Sequence, residues 1–170
     1  MIDVEIEDEA WTTALPDVQA LTARAVLGAL TFESKAVDGL EAQPADETVT
    51  VLLTDDEAVR ELNAQFRGKD SATNVLSFPA AESAYPHLGD IALAYGVCVR
   101  EAEAQGKPLA HHLFHLAVHG TLHLLGYDHL ADAEAEAMEA MERAILAGFD
   151  IADPYLDRDA PGHEGTLDHG

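Results

Sequence analysis

The sequence predicts an α/β fold: a single domain with a small mixed sheet of about four strands, packed with about five helices. Two observations carry this. Segments with strand-like and helix-like spacing alternate along the chain, and its 170 residues suit one hydrophobic core. The strands "VLSFP" and "GDIALAY" have no helix between them, which makes the sheet mixed rather than wholly parallel.

The first strand is "IDVEIE", residues 2–7, where apolar and acidic side chains alternate as on a half-buried strand. A helix follows from Asp17 to about Ala36, with Pro16 ahead of its first turn and Val18, Leu21, Ala25, Val26, Ala29 and Leu30 at helical spacing. "TVTVLLTD", Thr48–Asp55, is β-branched and apolar, a buried strand. Thr54 and Asp55 can cap the next helix, which carries acidic residues in its first turn and should run to about Phe66. "GKDSATN" is a polar loop, "VLSFP" a short strand ended by Pro79, and "GDIALAY" a strand from Gly89. "GVCVREAEAQGK" is helical and ends at Gly106 and Pro108. Another helix, from near Leu109 to Leu125, carries histidines. The last helix, within "ADAEAEAMEAMERAILAG", has an apolar stripe at Ala137, Met141, Ala144 and Ile145. The domain thus spans residues 1–152, and the acidic tail 153–170, rich in Pro, Gly and Asp, is expected to be disordered.

Composition narrows the function. No apolar run is long enough to span a membrane and no leader opens the chain, so a soluble, cytoplasmic protein is expected. A single cysteine, Cys98, excludes an internal disulfide and a thiolate zinc cluster within one chain. The formal charge of -23 repels polyanions at long range. Residues 1–10, 132–143 and 150–170 hold fourteen of those charges and read as solvated faces that leave a cleft elsewhere unburdened.

Between His115 and Leu130, "HLAVHGTLHLLGYDHL" holds four of the nine histidines. His119 and His123, four apart on a helix, project from one face. Gly126 sits where a left-handed turn ends a helix, and the chain can then return His129 to the pair. Three neutral imidazoles with one open coordination position are the donor set of a catalytic zinc site. The competing explanation is a histidine-rich helix whose rings are simply hydrogen-bonded. Metzincin proteases share the ligand spacing but place Glu after the first histidine as general base. Gly120 stands there in this chain, so a peptidase is not expected.

"HGTLHLLGYDH" closely resembles the signature of the YbeY family, bacterial metal-dependent endoribonucleases of ribosomal RNA maturation and quality control. "LNAQFRGKDSATNVLSFP" and "LGDIALAY" resemble two further blocks of that family in matching order, and the likeness covers about Val49 to Leu146. The tail is longer than the family's usual ending. The resemblance implies that His119, His123 and His129 are the ligands of one Zn2+ per chain, with another divalent transition metal as the alternative. It implies that Arg67 is the functional arginine of the cleft; a solvated residue at a helix C-terminus is the competing explanation. A guanidinium suits the role, because it grips phosphate through two parallel hydrogen bonds.

The remaining candidates stay open. His115 matches the family pattern, but as a fourth ligand it would close the site, and a non-ligand role is favoured. His111 and His112 read as surface and helix-start residues, and His163 and His169 as adventitious metal binders. Asp128 can orient the His129 imidazole or cap its own turn. Ser77, Asp90 and Tyr127 fit hydrogen bonding in the fold as well as catalysis. Only nine Lys and Arg oppose the acidic residues, so the metal and Arg67, with Lys69, Arg60 or Lys107 as candidates, are expected to supply a local positive cleft, or else a ribosomal partner brings the RNA.

Three functions compete. The favoured one is a metal-dependent endoribonuclease acting on single-stranded RNA by phosphodiester hydrolysis, with a ribosomal protein or GTPase as candidate partner and neither DNA nor membrane involved. The others are a different metallohydrolase and a non-catalytic ribosome-assembly factor with a structural zinc.

Overall fold

The computed structural model describes residues 2–38, 47–127 and 131–155, without the side chains of 33–38. Four strands, β1 (Ile2–Ile6), β2 (Thr48–Thr54), β3 (Val75–Pro79) and β4 (His87–Ala94), form one sheet in the order β1-β2-β4-β3. β1, β2 and β4 run parallel, and β3 pairs antiparallel with β4, with Ser77 opposite Ile91. The mixed sheet expected from the helix-free β3–β4 link is therefore present; only a short 3-10 turn, Glu82–Ala84, lies between these strands. β3 is an edge strand, which matters for the cleft described below.

Six α-helices complete the described fold: α1 (Ala10–Ala14), α2 (Val18–Asp38), α3 (Asp56–Arg67), α4 (Tyr95–Gln105), α5 (Leu109–Leu124) and α6 (Asp132–Ala147). α1 is the one helix not anticipated. It is too short for a periodic signal, and it exists to bury Trp11, whose indole Nε1–H donates to the Thr54 carbonyl at 3.0 Å while the ring meets Tyr95 edge-on. α3 starts where its sequence asks: Asp55 accepts a 2.8 Å bond from the Ala58 amide, and Gly68 closes the helix with φ +71.

The main core lies between the sheet and α2, α5 and α6, with Trp11, Leu30, Val51, Leu53, Leu93, Leu113, Phe114, Leu122 and Leu146 wholly or almost wholly shielded. α3 covers part of the opposite sheet face through Val59 on Leu76, Ala92 and Ala94. α6 presents a face different from the apolar stripe expected. Met138, Glu142, Ile145 and Leu146 are buried, whereas Ala137 and Ala144 are exposed and Met141 half-buried. The apolar stripe leaves Glu142 facing solvent, and burying that carboxylate rotates the inward face.

Of the tail expected from Asp153, residues 153–155 lie against the domain: Asp153 pairs with the Arg143 Nε at 3.1 Å and Tyr155 is buried. Residues 156–170, with His163 and His169, lie outside the described residues.

Candidate metal centre

α5 is the central helix of the domain, and twelve of its sixteen residues are buried, which its high apolar content permits. Steps of three, four and four residues along it bring His112, His115, His119 and His123 to one side in succession. The rings of His115 and His119 have centroids 6.3 Å apart, and those of His119 and His123 4.6 Å apart. The Nε2 atoms of His119 and His123 approach to 3.1 Å. The two residues that the sequence placed on one helical face do converge, therefore, at their imidazole nitrogens.

α5 ends as its sequence suggests. Gly126 adopts φ +101, and the Tyr127 amide donates back to the Leu122 carbonyl at 3.1 Å, the closing bond of a left-handed helix terminus. His129 and Asp128 lie beyond it, outside the described residues. Tyr127 packs against the main core.

Behind His119 sits a group that sequence reasoning passed over. Glu142 of α6 is 0% exposed, and its Oε1 lies 2.6 Å from His115 Nε2, 3.2 Å from His119 Nδ1 and 2.9 Å from the Tyr155 hydroxyl. The expectation that residues 132–143 form a solvated acidic face fails at this position. A carboxylate can be withdrawn from water when several donors converge on it, and here three do. Burial alone would push the Glu142 carboxyl up, but the hydrogen bonds from His115 and His119 hold it well below the usual carboxylate range. Burial lowers the pKa of His115 against the opposing pull of Glu142. Its Nδ1 is buried without a hydrogen-bond partner, as suits a ring that donates through Nε2 alone. The donor atoms of His115, His119 and Glu142 all lie within 4.8 Å of one another, so this cluster could hold a metal ion.

His112 is corrected in the same way. Rather than sitting at the surface, it is buried, and its Nε2–H donates to Glu101 Oε1 of α4 at 2.8 Å. Asn74 Nδ2 donates to the same oxygen at 3.0 Å. His111 is half-buried.

Arg67, the last residue of α3, is exposed and reaches the edge strand, where its Nη2 donates to the Ser77 carbonyl at 3.1 Å. Ser77 in turn donates through Oγ to the Gly120 carbonyl at 3.2 Å. Two hydrogen bonds thus connect Arg67 with the residue directly after His119. A cleft of about 700 Å³ beside α3 is lined by Phe66, Arg67, Ser77, Phe78 and Asp90 among others. Asp90 is held by His87 Nε2 at 2.9 Å. Arg60 is not available to a phosphate: its guanidinium is engaged by the carboxylates of Glu57 and Asp70.

Gly120 explains the missing peptidase base. A Cβ there would stand 3.1 Å from both Ile91 Cγ2 and Ser77 Oγ, so α5 crosses the sheet too closely at this point for a glutamate.

A family model described as endoribonuclease YbeY matches residues 5–150. An endoribonuclease YbeY of Rhodopseudomonas palustris strain BisB5 is 48% identical over 168 residues, covering 92% of this chain and 82% of its own. One from Maricaulis maris is 48% identical over 164 residues, covering 95% of this chain and 94% of its own. A protein of Thermotoga maritima solved in solution shares the fold, with a TM-score of 0.52 at 24% identity over 96% of this chain and all of that one. With the histidine helix, the Arg67–Ser77 edge and these relatives together, the chain belongs to the YbeY endoribonuclease family.

Proposed function

We propose that the protein is a metal-dependent endoribonuclease that hydrolyses single-stranded RNA in the cytoplasm, acting in ribosomal RNA maturation and quality control, with His119, His123 and His129 holding one divalent ion. The observation that supports this most directly is the pair of Nε2 atoms 3.1 Å apart on His119 and His123. Two nitrogens bound to one tetrahedral zinc at 2.0–2.1 Å lie roughly 3.3 Å apart, so the donor pair fits that ion. His115 Nε2 and Glu142 Oε1, 2.6 Å apart, are at hydrogen-bond distance and engage each other as placed. When bound, the ion supplies Lewis acidity toward a phosphate oxygen and makes water on it more acidic.

The chain's own residues supply the rest. Arg67 uses one N–H to anchor on Ser77, and the remaining donors of its fork grip a phosphate and oppose the charge that gathers there during cleavage. Glu142 does not serve as general base, because it is shut off from solvent and its Oε1 is already engaged by three partners. Water itself carries the proton away. The family name of the relatives makes RNA the substrate class, and a ribosomal protein or GTPase is a fitting partner for a chain with so few cations.

Cleavage of a labelled single-stranded RNA tests the reading. We expect His123→Ala to lose activity by at least about 100-fold, together with its metal. Arg67→Ala should lose about 10²–10³-fold in kcat/KM, with Arg67→Lys recovering only part because a lysine cannot form the two parallel bonds. Wild-type rates in Arg67→Ala would remove that residue from the reaction. A second reading, an assembly factor with a structural metal, draws on the burial of His115, His119 and Glu142. Stoichiometric metal retained in His123→Ala, with no RNA cleavage by wild type, would favour it.

A further inference from the structure

His119 has its two ring nitrogens engaged on opposite sides. Nδ1 lies 3.2 Å from Glu142 Oε1, and Nε2 lies 3.1 Å from His123 Nε2. Glu142 Oε1 already accepts from the Tyr155 hydroxyl, so it meets His119 as an acceptor and the ring proton sits on Nδ1 for that contact to form. Nε2 is then left with a lone pair, the form a metal ligand requires. In the metal-free protein His123 Nε2–H can donate to that lone pair, which accounts for the approach of the two Nε2 atoms.

The same oxygen of Glu142 also receives His115 Nε2 at 2.6 Å and the Tyr155 hydroxyl at 2.9 Å. Tyr155 stands edge-on to the His115 ring, with centroids 5.5 Å apart, and beneath the Arg143 guanidinium at 5.4 Å. These contacts fix Oε1 from three directions, drawing on α5, α6 and the segment after α6. A leucine at this position would leave the buried His115 ring and the Tyr155 hydroxyl without their acceptor, so the carboxylate has a structural part as well as any effect on His119. Nor can a leucine choose the tautomer of His119.

We propose that Glu142 is a positioning residue whose Oε1, braced by His115 and Tyr155, holds His119 with Nδ1 protonated and Nε2 aimed at the site shared with His123. This rests on the three-histidine metal reading, and it makes the chain as far as Tyr155 part of the metal centre. Carboxylates that orient a metal-binding imidazole in this way are worth about 10–100-fold in metal affinity in other proteins.

The test uses the full chain. Two-bond proton–nitrogen correlations on nitrogen-15-labelled, metal-free protein report which ring nitrogen of His119 carries the proton. We expect Nδ1–H in wild type and a shift toward Nε2–H in Glu142→Leu. Competition with a chromophoric chelator then gives zinc affinity, for which Glu142→Leu should be at least about tenfold weaker than wild type and Glu142→Gln in between. A merely structural glutamate would alter stability but leave the His119 tautomer as in wild type. His119 found as Nε2–H in wild type overturns the proposal, as does zinc binding by folded Glu142→Leu within twofold of wild type. Loss of zinc in Glu142→Gln with full retention in His123→Ala also overturns it, by making Glu142 itself a ligand. If Glu142→Leu does not fold, the wild-type tautomer and the isosteric Glu142→Gln decide. Wild type that binds no zinc while His119 is Nδ1–H would instead defeat the metal reading and leave the glutamate–histidine assignment standing.

Discussion

Gly120 shows how a single missing side chain divides two chemistries built on similar histidine spacing. The close approach of α5 to Ile91 and Ser77 leaves no room for a Cβ without displacement. Alanine gains about 1 kcal/mol of helix propensity over glycine, but overpacking a well-packed core costs about 1–3 kcal/mol. We therefore expect Gly120→Ala to lower stability in urea denaturation by up to about 2 kcal/mol, and a clear gain in stability would show that helix and sheet can separate freely. Cys98 offers a simpler check. Burial pushes its thiol well above the ordinary range, so the native protein should not react with a thiol reagent, whereas urea-unfolded protein should. Residue-level reading of the sequence singled out His119, His123 and Arg67 because their spacing or motif is distinctive. It passed over Glu142, since an acidic residue on an Asp- and Glu-rich helix carries no local sign of burial.

The arrangement on α5 is a series of imidazoles, and carboxylates from two neighbouring helices meet it: Glu101 of α4 at His112, and Glu142 of α6 at His115 and His119. The histidine spacing is visible in one segment of sequence, but its partners come from helices whose placement depends on tertiary packing. That is why the expected inward face of α6 is offset from the observed one, sharing Ile145 and part of Met141 with it, although the helix's existence and extent were readable. The Glu101 pair has a pH signature away from the metal centre. Burial pushes the Glu101 carboxyl up, but the bonds from His112 and Asn74 more than offset this and hold it below the usual range of a glutamate. Its folded pKa is lowered, so its contribution to stability is complete above about 4.5 and fades as pH falls through the folded value. The melting temperature should fall on acidification below that point, and Glu101→Gln should flatten this part of the profile. An unchanged profile in the variant would mean that Glu101 titrates alike in folded and unfolded chains.

At the scale of the molecule, the four strands, the mixed pairing and the main helices follow from periodicity, capping residues and the absence of a helix between β3 and β4, whereas the strand order β1-β2-β4-β3 is set by tertiary packing. α1 was hidden because five residues make little more than one helical turn. The net charge of -23 remains the property least expected of a protein that handles RNA. With Arg60 tied to Glu57 and Asp70, few cations are left to contact phosphates. About three contacts at -0.7 each give a slope of about -2 for log affinity against log salt on single-stranded RNA. A slope steeper than about -4 would demand a basic surface that the described residues do not offer. The central claim is that the histidines of α5 hold a catalytic metal. Elemental analysis of tag-free wild type and His123→Ala, each assayed on single-stranded RNA after zinc reconstitution, tests it most directly. About one zinc per chain in wild type, lost with activity in the variant, is the expected result. No metal in either protein would leave the histidines as buried packing and contradict it.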